Sequence, residues 1–211
     1  MPLLLALLLA QADGGDAGPA RAPPAAAFST DAWEKLETTD GVTLERRAVK
    51  GSAYFEYRAT TTTDVPLEQL CQSVFDWGSY VAHDEVKVRK LLADGESERV
   101  VYDQIEQPLV ANRDYAMVQR RWSGDGACHI QFFAANDLAP PKPEGWVRME
   151  KLWGHYDFTP VSGRVELRYV IFADPAGAIP PFLVHGAQAK GVIGTVKSNI
   201  ERAKGKPPKH P

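Results

Sequence analysis

The chain has 211 residues and a net charge of −3, from 24 Lys and Arg against 27 Asp and Glu. That length suits one domain with a full core and is too short for two comfortable ones. The charge balance gives no basic footprint, so nucleic acid is excluded as an expected partner.

Residues 3–10 form an apolar run too short to span a bilayer, and Ala10-Gln11-Ala12 has the small-x-small form of a cleavage site. Residues 1–12 therefore read as a secretory signal peptide, which predicts export to a periplasm or the extracellular space. No cysteine stands where a lipid anchor would be attached, so a soluble mature chain is expected. Residues 13–28 are rich in Ala, Pro and Gly without periodicity and read as a disordered linker. A single domain is expected over 29–204, followed by a short disordered tail at 205–211.

Ser29 or Thr30 can cap a short helix running through Glu37, with Trp33 and Leu36 on its buried side. The period then changes to two. Residues 41–49 and 53–63 are strand-like and joined by Lys50-Gly51-Ser52, a hairpin signal. Phe55, Tyr57 and Ala59 alternate with Glu56, Arg58 and Thr60, so one face of the second strand is covered. Pro66 opens a helix with the apolar stripe Leu67, Leu70, Cys71, Val74 and Phe75, ending near Trp77-Gly78. Further strands are expected over 86–93, 98–106, 114–123, 128–135, 146–158 and 164–173. Asp94-Gly95, Gly124-Asp125-Gly126 and Ser162-Gly163 supply tight turns that require antiparallel neighbours. Residues 136–145 form a longer loop containing Pro140, Pro141 and Pro143.

The last third carries the most information. Asp174-Pro175-Ala176-Gly177 reads as a rigid turn, and Pro180 and Pro181 suit the first turn of a helix. Phe182, Gly186, Ala189, Ile193, Val196 and Ile200 then recur at three and four residues and share one face, opposite His185, Gln188, Thr195, Ser198 and Arg202. Gly186, Ala189, Gly191 and Gly194 keep the middle of this helix small, which either leaves room beneath it or permits close packing on a sheet. The expected fold is α+β: a curved antiparallel sheet of about eight strands gripping a long C-terminal helix, the helix-grip architecture.

Cys71 and Cys128 have no partners at metal-ligand spacing. They can oxidise to one disulfide in an exported protein, but an apolar helical face and a strand position favour two small buried hydrophobes. His83, His129, His155 and His185 are scattered, with no nucleophile or acid at a spacing that suggests a triad or a metal site. No catalytic residue, metal or cofactor is therefore expected.

The segment Pro108-Leu109-Val110-Ala111-Asn112-Arg113-Asp114-Tyr115, then Val147-Arg148-Met149, then Tyr169-Val170-Ile171-Phe172-Ala173-Asp174-Pro175 with Gly177 and Ile179-Pro180, resembles the StAR-related lipid-transfer (START) domain. The spacing is most similar to the phosphatidylcholine-transfer branch, and the resemblance covers about residues 33–202. It implies a concave sheet face and a C-terminal helix that enclose one lipid, with a membrane surface as a transient partner of a monomer. Cholesterol-carrying members place a buried acid and arginine across two adjacent strands. An ungapped alignment puts those positions at Val100 and Gln119, which puts a sterol held by such a pair in doubt.

Candidate ligand contacts follow from parity along the strands. Tyr115, Met117 and Gln119 share a face, as do Tyr102 and Gln104 on the preceding strand, and together they offer a mixed lipid surface. Arg113 can grip a phosphate at a pocket rim, or else fix the turn into its strand. Arg148 is a second cation that must meet an acid or an anionic ligand if it points inward. Tyr156, Tyr169 and Ile171 are expected in the wall, and Phe182, Gly186, Ala189 and Ile193 on the helix above it. A noncatalytic lipid carrier fits these residues best. A polyketide aromatase/cyclase on a related fold would line its pocket with acid/base groups, and a lipid sensor would need the same pocket as a carrier.

Overall fold

The computed structural model describes residues 31–76, 86–106, 110–177 and 179–205. The expected signal segment, the whole linker over 13–28, Ser29 and Thr30, Trp77-Gly78, His83 and the tail beyond residue 205 lie outside them. One sheet contains β1 (Glu34–Thr39), β2 (Val42–Ala48), β3 (Phe55–Thr63), β4 (Val86–Asp94), β5 (Glu98–Ile105), β6 (Arg113–Gly124), β7 (Ala127–Ala134), β8 (Val147–Arg148), β9 (Leu152–Val161) and β10 (Arg164–Ala173). Two helices join it, α1 (Leu67–Phe75) and α2 (Pro181–Ala203). The strand order is β1-β2-β3-β10-β9-β7-β6-β5-β4, with β8 off this path beside β6.

Two expectations about the strands are corrected. The short helix through Glu37 is strand β1, and Leu36 is exposed rather than buried. Asp40 and Gly41 both adopt left-handed φ, 50° and 78°, the backbone of a two-residue hairpin turn, and this turn commits residues 34–39 to pair with β2. The expected strand over 146–158 divides into β8 and β9. β8 pairs with β6 in parallel, so its two residues depart from the antiparallel rule. The turns at Asp125-Gly126 and Ser162-Gly163 have the same left-handed pair of residues and join antiparallel strands as expected.

Pleating sorts the side chains. Tyr57, Tyr115, Met117, Phe132, Tyr156 and Tyr169 point to the face that packs against α1 and α2, where the main core lies. The opposite face carries a smaller cluster that includes Val100, Val118, Phe133, Trp153 and Phe172, with Trp153 and Phe172 stacked at 4.2 Å. Gly154 sits under the helix side of the sheet, where a Cβ would collide with the Val170 carbonyl and the Phe132 ring. Only glycine lets that ring lie across β9.

Cys71 of α1 and Cys128 of β7 form a disulfide with a Cα–Cα distance of 6.3 Å, in place of the two unlinked thiols expected. The apolar helix face and the covered strand face that suggested small hydrophobes are the two surfaces that meet. α1 also fastens the end of α2, since Gln69 Nε2 donates to the Ala203 carbonyl at 2.6 Å.

The buried stripe of α2 is turned by a fraction of one residue's step of about 100° from the expected one. Val192, Ile193, Val196, Asn199 and Ala203 are buried, all in the C-terminal half. Phe182 is 75% exposed and Gly186 faces open space, so both lie on the outside of the helix. The polar Gln188 and Asn199 on the inner stripe shifted the pattern read from apolar residues alone.

Candidate functional site

A cleft of about 460 Å³ opens between the N-terminal half of α2 and the helix side of the sheet. Its floor is Tyr57 of β3 with Tyr169 and Ile171 of β10. Ile105, Val110 and Met149 close one side, and Leu183, Val184, Ala187 and Val192 form the roof. The cleft is there because α2 buries no residue fully before Val192, so its first half stands over the sheet rather than in it. Four hydrogen bonds hold this half down. Tyr57 Oη donates to the His185 carbonyl at 3.2 Å, and Tyr54 Oη to that of Ile179 at 3.2 Å. Gln188 Nε2 donates to the Ala173 carbonyl at 2.7 Å, and His185 Nε2 lies 3.1 Å from the Ala53 carbonyl oxygen.

A larger hollow of about 710 Å³ lies at the other end of α2. Asp40, Asp64, Arg164 and Lys197 line it and are paired with one another as Lys197–Asp40 and Arg164–Asp64. Glu201 and Lys204 add to these charges around the hollow, whereas the smaller cleft is mostly aliphatic and aromatic and is the better candidate site for an apolar ligand.

The polar groups of the cleft are few. Arg113 is buried at its edge, and its guanidinium donates to the carbonyls of Ala111, Pro175 and Ala176. Burial pulls its pKa down, with the Tyr54 phenol acting more weakly in the other direction. These bonds tie β6 to the turn that launches α2, where Ala176 and Gly177 have φ of 53° and 71°. Tyr169 is buried in the floor, and burial raises its pKa well above 10.0.

The predicted contacts divide by face. Arg113, Tyr169 and Ile171 line the cleft. Tyr115, Met117, Ala189 and Ile193 belong to the core beside it. Gln119 is buried on the same side of the sheet, and its Oε1 has no hydrogen-bond partner among the described residues. Tyr102, Gln104 and Arg148 do not join them. Tyr102 Oη donates to Asp114 at 2.9 Å, Gln104 Nε2 donates to Tyr102 Oη at 3.1 Å, and Arg148 forms a two-pronged pair with Asp114. Asp114 follows Arg113 on β6, so this network faces away from the helices. The proline loop is on that side too, with the Pro140 carbonyl accepting from Arg148 at 2.9 Å.

No family model matches the chain. Its sequence is 27% identical over 170 residues to an uncharacterized protein of Pseudomonas aeruginosa, spanning 78% of this chain and 83% of that protein. It is 24% identical over 182 residues to the phosphatidylcholine transfer protein of Bos taurus, spanning 83% and 85%. In three dimensions it matches a crystal structure of a STAR-related lipid transfer protein from Xanthomonas axonopodis with a TM-score of 0.74. The two are 24% identical, and the match covers 82% of this chain and 99% of that one. The fold is that of the START domains.

Within this START fold the resemblance motifs converge on one place. Arg113 of the Asn-Arg-Asp-Tyr segment holds the carbonyl of Pro175 from the Asp-Pro segment, and both line the mouth under α2. Sequence reasoning missed one feature on the helix side. Arg89 of β4 and Asp103 of β5 form an ion pair whose side chains are 1% and 0% exposed. Tyr115 Oη donates to Asp103 at 2.9 Å. Burial pulls the Arg89 pKa down, but the hydrogen bond and charge of Asp103, with Tyr115 and Tyr156 adding to them, leave it above the ordinary arginine value. A buried acid and arginine on adjacent strands is therefore present, three residues beyond Val100 on the acid's strand. The ungapped alignment sought such a pair on β5 and β6, whereas this one joins β4 and β5, and Val100 lies on the outer face of the sheet.

Proposed function

We propose that this chain binds one amphipathic lipid in the cleft under α2 and carries it between membranes without chemical change. The observation that carries the reading is the chemistry of the cleft. Its described lining is aliphatic and aromatic, with Arg113, Gln188, Thr195 and two tyrosines as its main polar groups. Among the described lining residues there is no histidine, carboxylate, cysteine or lysine, and so no group that exchanges protons near neutral pH. That composition suits holding a hydrocarbon chain by burial and does not suit an aromatase/cyclase. The relatives that are named as lipid-transfer proteins support the same reading.

Moving the lipid requires a membrane. Burying each methylene is worth about 0.8 kcal/mol, so a long chain does not leave for water at a useful rate. The lip of the cleft exposes Leu183 and Val110, and Phe182 is exposed on the outside of the same helix turn; these apolar side chains can enter a bilayer interface while α2 opens. Export, with removal of residues 1–12, completes the reading, and the Cys71–Cys128 disulfide suits an oxidising compartment. The test is transfer of a fluorescent lipid between donor and acceptor vesicles by purified protein. Transfer that rises in proportion to protein concentration, with the lipid recovered unchanged, supports the proposal. Absence of transfer for every lipid class, or recovery of a chemically altered product, defeats it.

A further inference from the structure

Arg113 is buried, and among the described residues its hydrogen-bond acceptors are carbonyl oxygens. Carbonyls orient a guanidinium without neutralising it, and a buried cation is stabilised by meeting an anion. Guanidinium has five N–H donors, and three bonds to carbonyls leave two for a further acceptor group. Gln188 has the opposite deficit. Its Nε2 donates to the Ala173 carbonyl, while its Oε1 is buried without a partner among the described residues. Such an acceptor is stabilised by an N–H or O–H. Apart from that of Ala111, the carbonyls that hold these two side chains, of Ala173, Pro175 and Ala176, belong to one four-residue stretch, so the cation and the open acceptor share one corner of the cleft.

The open space of about 460 Å³ is within the range of small-molecule sites. Resting on the reading of the cleft as a lipid site, we infer that its ligand is an acidic amphiphile that carries an N–H or O–H close to its acidic group. The acid faces Arg113, the donor meets Gln188 Oε1, and the chain lies along Tyr169, Ile171 and Val192.

Four soluble probes separate these contributions in calorimetric titrations of the whole protein. N-lauroylglycine has the carboxylate and the N–H, its methyl ester lacks the charge, laurate lacks the N–H, and lauroyl lysophosphatidic acid offers phosphate with a hydroxyl. N-lauroylglycine or the lysophosphatidic acid is expected to bind one to one, at least about tenfold tighter than the methyl ester. Whichever binds tighter identifies the acid as carboxylate or phosphate. N-lauroylglycine is also expected to exceed laurate several-fold, and Gln188→Leu to remove that advantage. Arg113→Gln is expected to remove the advantage over the ester, and since it also loosens the turn before α2, the acid-to-ester ratio in the unaltered protein is the deciding quantity. An ester that binds as tightly as the acid overturns the inference while leaving lipid binding intact. So does dioleoylphosphatidylcholine from vesicles displacing N-lauroylglycine and occupying the cleft one to one. If no lipid of any class binds, the reading of the cleft itself fails.

Discussion

Gly191 and Gly194 stand where the buried half of α2 meets the half that roofs the cleft, and replacing both with alanine tests how the roof opens. A Cβ at either position meets no atom within 4 Å, so alanine enters without displacing a neighbour. Alanine is favoured over glycine inside a helix by about 0.8–1.0 kcal/mol, so the pair stiffens α2 by about 2 kcal/mol if the two sites add. Should lipid leave through unwinding at these residues, the open population falls roughly thirtyfold, at about 1.4 kcal/mol per factor of ten. The assay is the rate of lipid transfer between vesicles, with thermal melting followed by circular dichroism on the same samples. The double variant is expected to melt at a higher temperature and to transfer more slowly. Gly194 is not part of the cleft lining, so Gly194→Ala alone distinguishes a stiffer helix from a smaller cleft. A double variant that melts higher yet transfers at the parent's rate refutes opening by unwinding. The helix would then swing as a rigid body, and breaking a latch such as the Tyr57 hydrogen bond to His185 would be the change that matters.

Other consequences concern stability. The disulfide closes a loop of sequence separation 57, so Cys71→Ala with Cys128→Ala is expected to lower the unfolding free energy by about 4 kcal/mol in urea titrations. Asp103→Ala takes the carboxylate away from the buried Arg89 and is expected to cost about 3–5 kcal/mol, whereas replacing both with apolar residues recovers much of that in the same titration. Gly154→Ala drives a methyl into the Val170 carbonyl and the Phe132 ring, so a fall in melting temperature is expected, with altered aromatic near-ultraviolet circular dichroism. Burial raises the pKa of Tyr115 and Tyr169 well above 10.0. These phenols stay neutral in the folded protein while those of the unfolded chain ionise, so stability is unaffected below pH 10 and falls as pH rises beyond it, by about 1.4 kcal/mol per pH unit for each. Ultraviolet titration should find phenols that ionise only on unfolding.

The parts of the fold that repeat a local rule were legible in the sequence. The alternation in β3, the stripe of α1 and the Gly-containing turns each declare themselves within a few residues. β1 was misread because Ser29 and Thr30 resemble a helix cap, while the decisive signal, Asp40-Gly41, lies after the segment it organises. The site was harder to read because cleft membership depends on which face of β6 each residue takes and on where α2 sits. Arg113 and Arg148 look alike in sequence, yet one step along β6 decides that Asp114 captures Arg148 on the outer face while Arg113 stays under the helix. The Arg89–Asp103 pair was invisible for a similar reason. Residues 14 apart meet only through the β4–β5 hairpin, and that strand pair has register shifts that no local pattern announces.

The most direct test of the central claim is native mass spectrometry of the protein purified from its own cells, followed by analysis of the extracted ligand. The account predicts one lipid per chain, released intact, and lost from variants that fill the cleft, such as Ala187→Trp. Protein that emerges without a lipid, and that takes none from vesicles prepared from the same cells, would contradict it.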